Sequence, residues 1–176
     1  MSDKKVTYRN PWSWVPSLYF TQGIPYVMVM SVSVMMYKNL GVSNTNIAFF
    51  TSLLYFPWFL KFAWGPFIDM FKTKRFWTVS MQLLVGVALF GIAFSVPTTI
   101  YWQLTLSVFA IMAFASATHD IAADGFYMLS LEQSQQAAFV GVRSTFYRVA
   151  TIVGSGLLVV IAGELAPSMG FKGAWS

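Results

Sequence analysis

The chain has 176 residues, of which 57% are hydrophobic and 10% charged, with a mean hydropathy of +0.62; soluble domains carry about 45–50% apolar and about 25% charged residues. That composition excludes an ordinary soluble enzyme, and a chain with no cysteine and one histidine cannot build disulfides, zinc-thiolate centres or multi-histidine metal sites. Eleven basic against six acidic residues give a formal charge of +5, but the basic residues fall in short clusters between apolar runs, so membrane lipid rather than nucleic acid is the expected surrounding.

Crossing a hydrocarbon core of roughly 30 Å takes about 20 helical residues. Five apolar runs are long enough, over about 14–37, 47–68, 76–96, 100–131 and 137–165. They lack the alternation of barrel strands, so an all-α transmembrane fold is predicted. Residues 1–13, with Lys4, Lys5 and Arg9, are too polar, and the run after them too long, for a cleaved signal peptide; a cytoplasmic N-terminal segment and a retained first helix are expected. Short connections such as 95–99 make consecutive helices antiparallel neighbours in one membrane domain, 14–169. With the N-terminus cytoplasmic, the inner side holds Lys4, Lys5, Arg9, Lys72, Lys74, Arg75 and Arg143, and the outer side only Lys38 and Lys172. Residues 170–176 read as the start of a sixth span, so the chain is expected to be the front part of a longer protein.

On the first helix Tyr19, Gln22, Tyr26, Ser33 and Tyr37 recur at helical spacing. Hydroxyl-bearing rings beside a glutamine suit a sugar or peptide ligand, and equally an ordinary helix contact. Gly23-Ile24-Pro25 removes a helix donor and invites a bend. Trp12, Trp14, Trp58 and Trp102 read as interface anchors or packing residues. Between the second and third helices, Gly65 would let a neighbouring helix approach closely. Asp69, at a helix C-terminus, needs a cation or a helix N-terminus, and Lys72, Lys74 and Arg75 pin the loop inside.

Asp120 and Asp124 on the fourth helix share a face with Ala113, Ser116, Ala117 and Tyr127, a small polar stripe that suits a cavity or close helix packing. His119 points about a quarter-turn away and is expected to bond between helices; adjacent His and Asp diverge and lack a third ligand, so no metal or other cofactor is expected. The same three residues are the seed of an intramembrane enzyme, but lipid-phosphate chemistry needs more carboxylates around a divalent ion, so a non-enzyme is predicted. At about 1.5 Å per residue, Asp124, Lys61 and Arg143 lie roughly 10 Å from the inner ends of their helices, and Asp120 and Arg148 roughly 16–18 Å. The depths predict Asp124 paired with Lys61 or Arg143, and Asp120 with Arg148. Such pairs serve either function or insertion alone.

The loop Gly65 to Arg75 resembles the inner-loop signature of the major facilitator superfamily: Gly65, Asp69 and Lys74 fit, while Met70 stands where that signature has arginine and Lys72 where it has glycine. The fourth helix lacks the arginine common in that superfamily. The stretches Leu18 to Tyr26, Ser116 to Tyr127 and Phe139 to Arg148 are similar to the AmpG muropeptide permease branch and its relatives among acetyl-coenzyme A transporters. The resemblance implies the first five helices of a superfamily N-terminal six-helix bundle, in a twelve-helix transporter working by alternating access. It also implies a bacterial inner membrane and proton-coupled import of anhydro-muropeptides or a related sugar-peptide for cell-wall recycling; acetyl-coenzyme A or another anionic metabolite is the alternative substrate, and a non-transport assembly subunit a third reading. Partners are then membrane lipid, protons, the substrate and the C-terminal half of the same transporter. By position, Tyr19, Gln22, Tyr26 and Asp120 would line the substrate wall and Arg148 meet a substrate carboxylate. Asp120, Asp124 and His119 would carry the proton coupling, and Gly65, Asp69, Lys74 and Arg75 the inner-loop motif.

Overall fold

Apolar runs that must satisfy their own backbone fold as helices, and the computed structural model, which describes residues 10–176, contains five helices long and apolar enough to cross a membrane. They are Pro11–Asn39, Asn44–Met70, Lys74–Ser95, Tyr101–Ser130 and Gln133–Ala174. The expectations placed on Lys4, Lys5 and Arg9 lie outside the described residues.

The first span opens with a 3-10 turn, Pro11–Ser13, capped by the Asn10 side chain, which accepts from the Trp12 N–H. Helix α1 (Val15–Val27) follows, then a π turn, Met28–Val32, and α2 (Ser33–Asn39). Pro25 has no N–H to donate, the Met28 N–H is shared between the carbonyls of Ile24 and Pro25, and the ladder widens after it, where the Ser33 N–H donates to the Met28 carbonyl.

The second span is broken where the composition predicts one run over 47–68. Helix α3 (Asn44–Leu53), capped by Ser43, ends at Leu54-Tyr55, and α4 (Phe56–Met70) begins there. Pro57 cannot donate to the Leu53 carbonyl, and the N–H groups of Leu54 and Tyr55 turn back to Thr51 and Ser52 at 3.2 Å. Lys72, with φ 64°, turns the chain into α5 (Lys74–Ser95), whose cap Thr73 accepts from the Phe76 N–H. Helix α6 (Tyr101–Ser130) is unbroken, and α7 (Gln133–Ile152) starts with a Glu132/Gln135 capping box. A second π turn, Val153–Leu157, leads into α8 (Leu158–Ala174). Gly170 adopts φ 72° there, and the residues after it fold onto the 98–101 connection: Lys172 Nζ donates to the Thr98 carbonyl at 3.3 Å and lies 4.7 Å from the Tyr101 ring.

Helix α6 is the hub, packed on α1, α4 and α5, while α1 lies along α7. Ala113, Ala115, Ala117, Ala122 and Ala123 give α6 a fully buried small-residue surface. The first and fifth spans approach even more closely. A Cβ built on Gly23 would stand 2.7 Å from Ala150 Cβ and 2.9 Å from the Tyr147 carbonyl, and one on Gly154 2.3 Å from Val27 Cγ1. The two π turns meet at this contact. On the outside, Phe59, Phe62, Phe90 and Phe94 are each at least 70% exposed, a surface suited to hydrocarbon and not to water.

Candidate functional site

Four spans bring ionisable side chains to one region, and they form two levels one helical turn apart along α6. At the level nearer the Lys72–Arg75 loop, Asp124 Oδ1 accepts from Arg143 Nη2 at 2.6 Å and from Tyr19 Oη at 2.9 Å. The Arg143 guanidinium lies 4.4 Å from the ring centroids of both Tyr19 and Tyr127. Removing a half-buried ion pair from water is costly; two hydrogen bonds on one oxygen and two ring faces on the cation offset that cost. Tyr127 is itself fixed by donating to the Gln136 carbonyl at 2.6 Å.

At the second level Lys61 Nζ stands 3.9 Å from Asp120 Oδ2, with the two side chains 28% and 13% exposed. That separation is an ion pair without a hydrogen bond. Gln22 and Trp58 close on the Asp120 carboxyl, and Asp124 adds a like charge from one turn away. Aromatic rings surround this level: Tyr26 meets Trp58 edge-on at 5.3 Å and Tyr147 at 6.1 Å, and Tyr55 lies 6.3 Å from Trp58. Gln22 Oε1 and Ser116 Oγ are buried without a hydrogen-bond partner among the described residues. Beside this level a cleft of about 460 Å³ opens between α1 and α7, lined by Tyr19, Gln22, Arg143, Ser144, Tyr147 and Arg148.

Residues 22–175 match the BT1 family, a permease family of the major facilitator type. The chain belongs to the BT1 family. It is 31% identical over 164 residues to an uncharacterized protein of Schizosaccharomyces pombe, covering 85% of this chain and 30% of that protein. To the anhydromuropeptide permease of Escherichia coli it is 28% identical over 153 residues, covering 84% of this chain and 30% of the permease. An uncharacterized membrane protein of Saccharomyces cerevisiae is 25% identical over 167 residues, covering 77% and 30%. The chain thus spans about a third of the length of these relatives. No solved structure matches it.

In this BT1 family chain the pairing expected between Asp120 and Arg148 is not the one formed. Arg148 follows Arg143 by five residues, about 140° round the helix at 3.6 residues per turn. Arg148 lines the same cleft as Arg143 but makes no ion pair among the described residues, and Lys61 from α4 takes Asp120 instead. Lys61, expected at the level of Asp124, reaches Asp120, so distance from the helix ends does not by itself fix the partner. His119 is 2% exposed and neither ring nitrogen has a hydrogen-bond partner, so the interhelical bond expected of it is not made, nor does it bond to Asp120 or Asp124.

The inner-loop residues separate. Lys74 forms an ion pair and hydrogen bond with Asp69, and its stem crosses Gly125, where a Cβ would meet Lys74 Cε at 2.7 Å. The close approach expected at Gly65 occurs at Gly125: nothing lies within 4 Å of a Cβ built on Gly65, which borders a cavity of about 720 Å³ with Lys61, Asp69, Lys74 and Asp124. Arg75 faces a different cleft, of about 520 Å³, with Trp14, Thr21, Thr78 and Gln82.

The polar stripe of the first span also divides. Tyr19, Gln22 and Tyr26 face the site, whereas Tyr37 is fully buried at the opposite end, bonded to Thr105 at 2.9 Å and packed on Trp102 with centroids 4.5 Å apart. Trp58, expected as an anchor or a packing residue, is buried in the core beside the Asp120 level, where Tyr55 and Tyr147 also lie. A signal for them is available in spacing, since Trp58 precedes Lys61 by three residues and Tyr147 follows Arg143 by four, each about one turn. Among the described residues no group of three His, Cys, Asp or Glu side chains lies within metal-binding reach of one another.

Proposed function

We propose that this chain forms the first five spans of a proton-coupled secondary transporter that imports a sugar-peptide of the anhydromuropeptide class across a bacterial inner membrane, with its N-terminus cytoplasmic. The observation that carries the reading is the two-level arrangement on α6, in which neighbouring carboxylates are held by cations from two different spans beside an open polar cleft. Charges inside a membrane are expensive and mark substrate or ion pathways. The permease among the relatives supports the substrate class.

In this reading the two levels divide the work. Arg143 and Tyr19 both donate to Asp124, which makes it a fixed strut. Asp120 has a cation at ion-pair distance and no hydrogen bond from it, so a proton arriving on Asp120 releases Lys61 and its departure restores the pair. Arg148, unpaired in the cleft, meets the substrate carboxylate, while Tyr19, Gln22 and Tyr26 offer hydrogen bonds and ring faces from α1. Alternating access needs a second wall rocking against this one, and the further length of the relatives is where that wall is sought.

The test is uptake by the full-length protein reconstituted in liposomes, using radiolabelled N-acetylglucosaminyl-anhydromuramyl peptide. Accumulation that requires an inwardly directed proton gradient is expected. Accumulation without one removes the coupling, and uptake of acetyl-coenzyme A in place of the muropeptide replaces the substrate. No uptake of either, by protein shown to be inserted, favours an assembly subunit.

A further inference from the structure

The ring cluster around Asp120 contains a polar atom that nothing among the described residues satisfies. Gln22 and Trp58 are 7% and 8% exposed; Gln22 Oε1 has no hydrogen-bond partner, and the Trp58 indole N–H has only the Asp120 carboxyl to turn to. One is an acceptor and the other a donor. Buried polar atoms are normally paired, so an orphaned acceptor near an N–H that shares the Asp120 carboxyl with Lys61 marks a place where a partner from outside completes them. The surrounding rings come from three spans: Tyr26 from the first, Tyr55 and Trp58 from the second, and Tyr147 from the fifth. The cluster is open on the Tyr55 side, where that ring is half exposed.

The chemistry of the lining selects among ligands. An ammonium group offers only donors and would approach Lys61 with like charge. A carboxylate would be repelled by Asp120. A neutral ring bearing hydroxyls supplies a donor and an acceptor at each hydroxyl, and presents C–H faces to aromatic rings. The cluster and the arginine-lined cleft are continuous, because Gln22 and Tyr147 belong to both.

We infer that Trp58, with Gln22, Tyr26 and Tyr147, forms a subsite for a neutral, hydroxylated ring of the substrate, and Arg148 the subsite for its carboxylate, so that the substrate lies in one direction across α1. The inference rests on the transporter reading above and adds to it which end of the substrate each group holds. Trp58 is then a specificity-determining residue, acting through its ring face and its N–H.

Binding of two half-substrates to the full-length protein in lipid nanodiscs separates the subsites. N-acetylglucosamine is the neutral ring and N-acetyl-D-alanine the carboxylate, each followed by saturation-transfer difference NMR. Trp58→Phe, which keeps a ring and loses the N–H, is expected to lower the ratio of sugar to carboxylate affinity by about fivefold or more, the loss of one buried hydrogen bond. Tyr147→Phe should lower it less, and Arg148→Gln should raise it. An unchanged ratio in both Trp58→Phe and Tyr147→Phe overturns the assignment, as does an equal loss of both probes in all three variants, which would mean one undivided pocket. Tetramethylammonium that binds and is weakened by Trp58→Phe also overturns it, in favour of a cation. Wild-type protein that binds neither half-substrate nor the joined sugar-peptide overturns the transporter reading itself.

Discussion

Lys61 holds Asp120 from 3.9 Å, too far for a hydrogen bond, although one turn away Arg143 reaches Asp124 at 2.6 Å. The contrast follows from where the cations are attached. Arg143 is clamped between the Tyr19 and Tyr127 rings, whereas the Lys61 stem borders an open cavity of about 720 Å³ that also contains Asp124. Lys61 and Asp124 thus line the same cavity, one turn of α6 apart from the Asp120 contact.

If Asp124 is a strut, its loss should be felt as stability. Arg143→Gln leaves a half-buried carboxylate with only the Tyr19 hydroxyl, and is expected to destabilise the detergent-solubilised protein by about 1–3 kcal/mol. Arg143→Lys should recover only part of this, because an ammonium keeps the charge but not the planar stacking between two rings. Thermal unfolding of the three proteins measures both differences; equal stability of Arg143→Gln and wild type would remove Asp124 from the fold's framework.

The contact of the first and fifth spans predicts an overpacking penalty. Gly23→Ala places a methyl 2.7 Å from Ala150 Cβ and 2.9 Å from the Tyr147 carbonyl, a clash with helix backbone that costs about 1–3 kcal/mol. Adding Ala150→Gly relieves the first conflict and leaves the second, so partial recovery is the expected outcome of the pair in the same melting assay. Gly65→Ala, where nothing lies within 4 Å of the new methyl, should show no such loss.

Tyr37 provides a contrast within one helix stripe. Tyr37→Phe breaks its buried bond to Thr105 and should cost about 1 kcal/mol without altering uptake. Tyr26→Phe should do the reverse, lowering substrate affinity with little effect on the melting temperature. Loss of uptake on changing Tyr37 would mean that the stripe functions as a whole.

The clip at the loop between the second and third spans is readable by chemistry on Lys74. Because its ammonium is held by Asp69 and its stem lies on Gly125, either Asp69→Asn or Gly125→Ala should expose the amine. Faster modification of Lys74 by an amine-reactive reagent, followed by peptide mass analysis, is the expected result in both variants, and an unchanged rate would show that the clip does not shield it.

Much of this arrangement is legible from residue order, and the failures share a cause. Spans are set by length and hydropathy, which a linear chain carries in full, and the depth of each charge follows from a fixed rise per residue. Rotation about the helix axis and the lateral placement of spans are not local properties. Depth alone therefore gives Asp120 to Arg148 and sets Lys61 level with Asp124, where the fold pairs Lys61 with Asp120, and residue order points to Gly65 rather than Gly125 for the close neighbour. Trp58 reads by residue type as an anchor or a packing residue, and which of the two it is depends on which face of α4 turns inward. The two π turns arise where spans one and five press together at Gly23 and Gly154, a relation between residues more than 120 positions apart. The break at Leu54 is the opposite case: Pro57 announces it locally, and a count of apolar residues passes over it.

In the proposed transporter Asp120 couples a proton to substrate movement through its loose pairing with Lys61, and one comparison on the full-length protein tests that role. Asp120→Asn should insert and fold, exchange labelled sugar-peptide for unlabelled across liposomes at equilibrium, and fail to accumulate it against a gradient when protons are driven inward. Gradient-driven accumulation by Asp120→Asn at the wild-type rate would contradict the account and leave the Lys61–Asp120 pair as a device for membrane insertion alone.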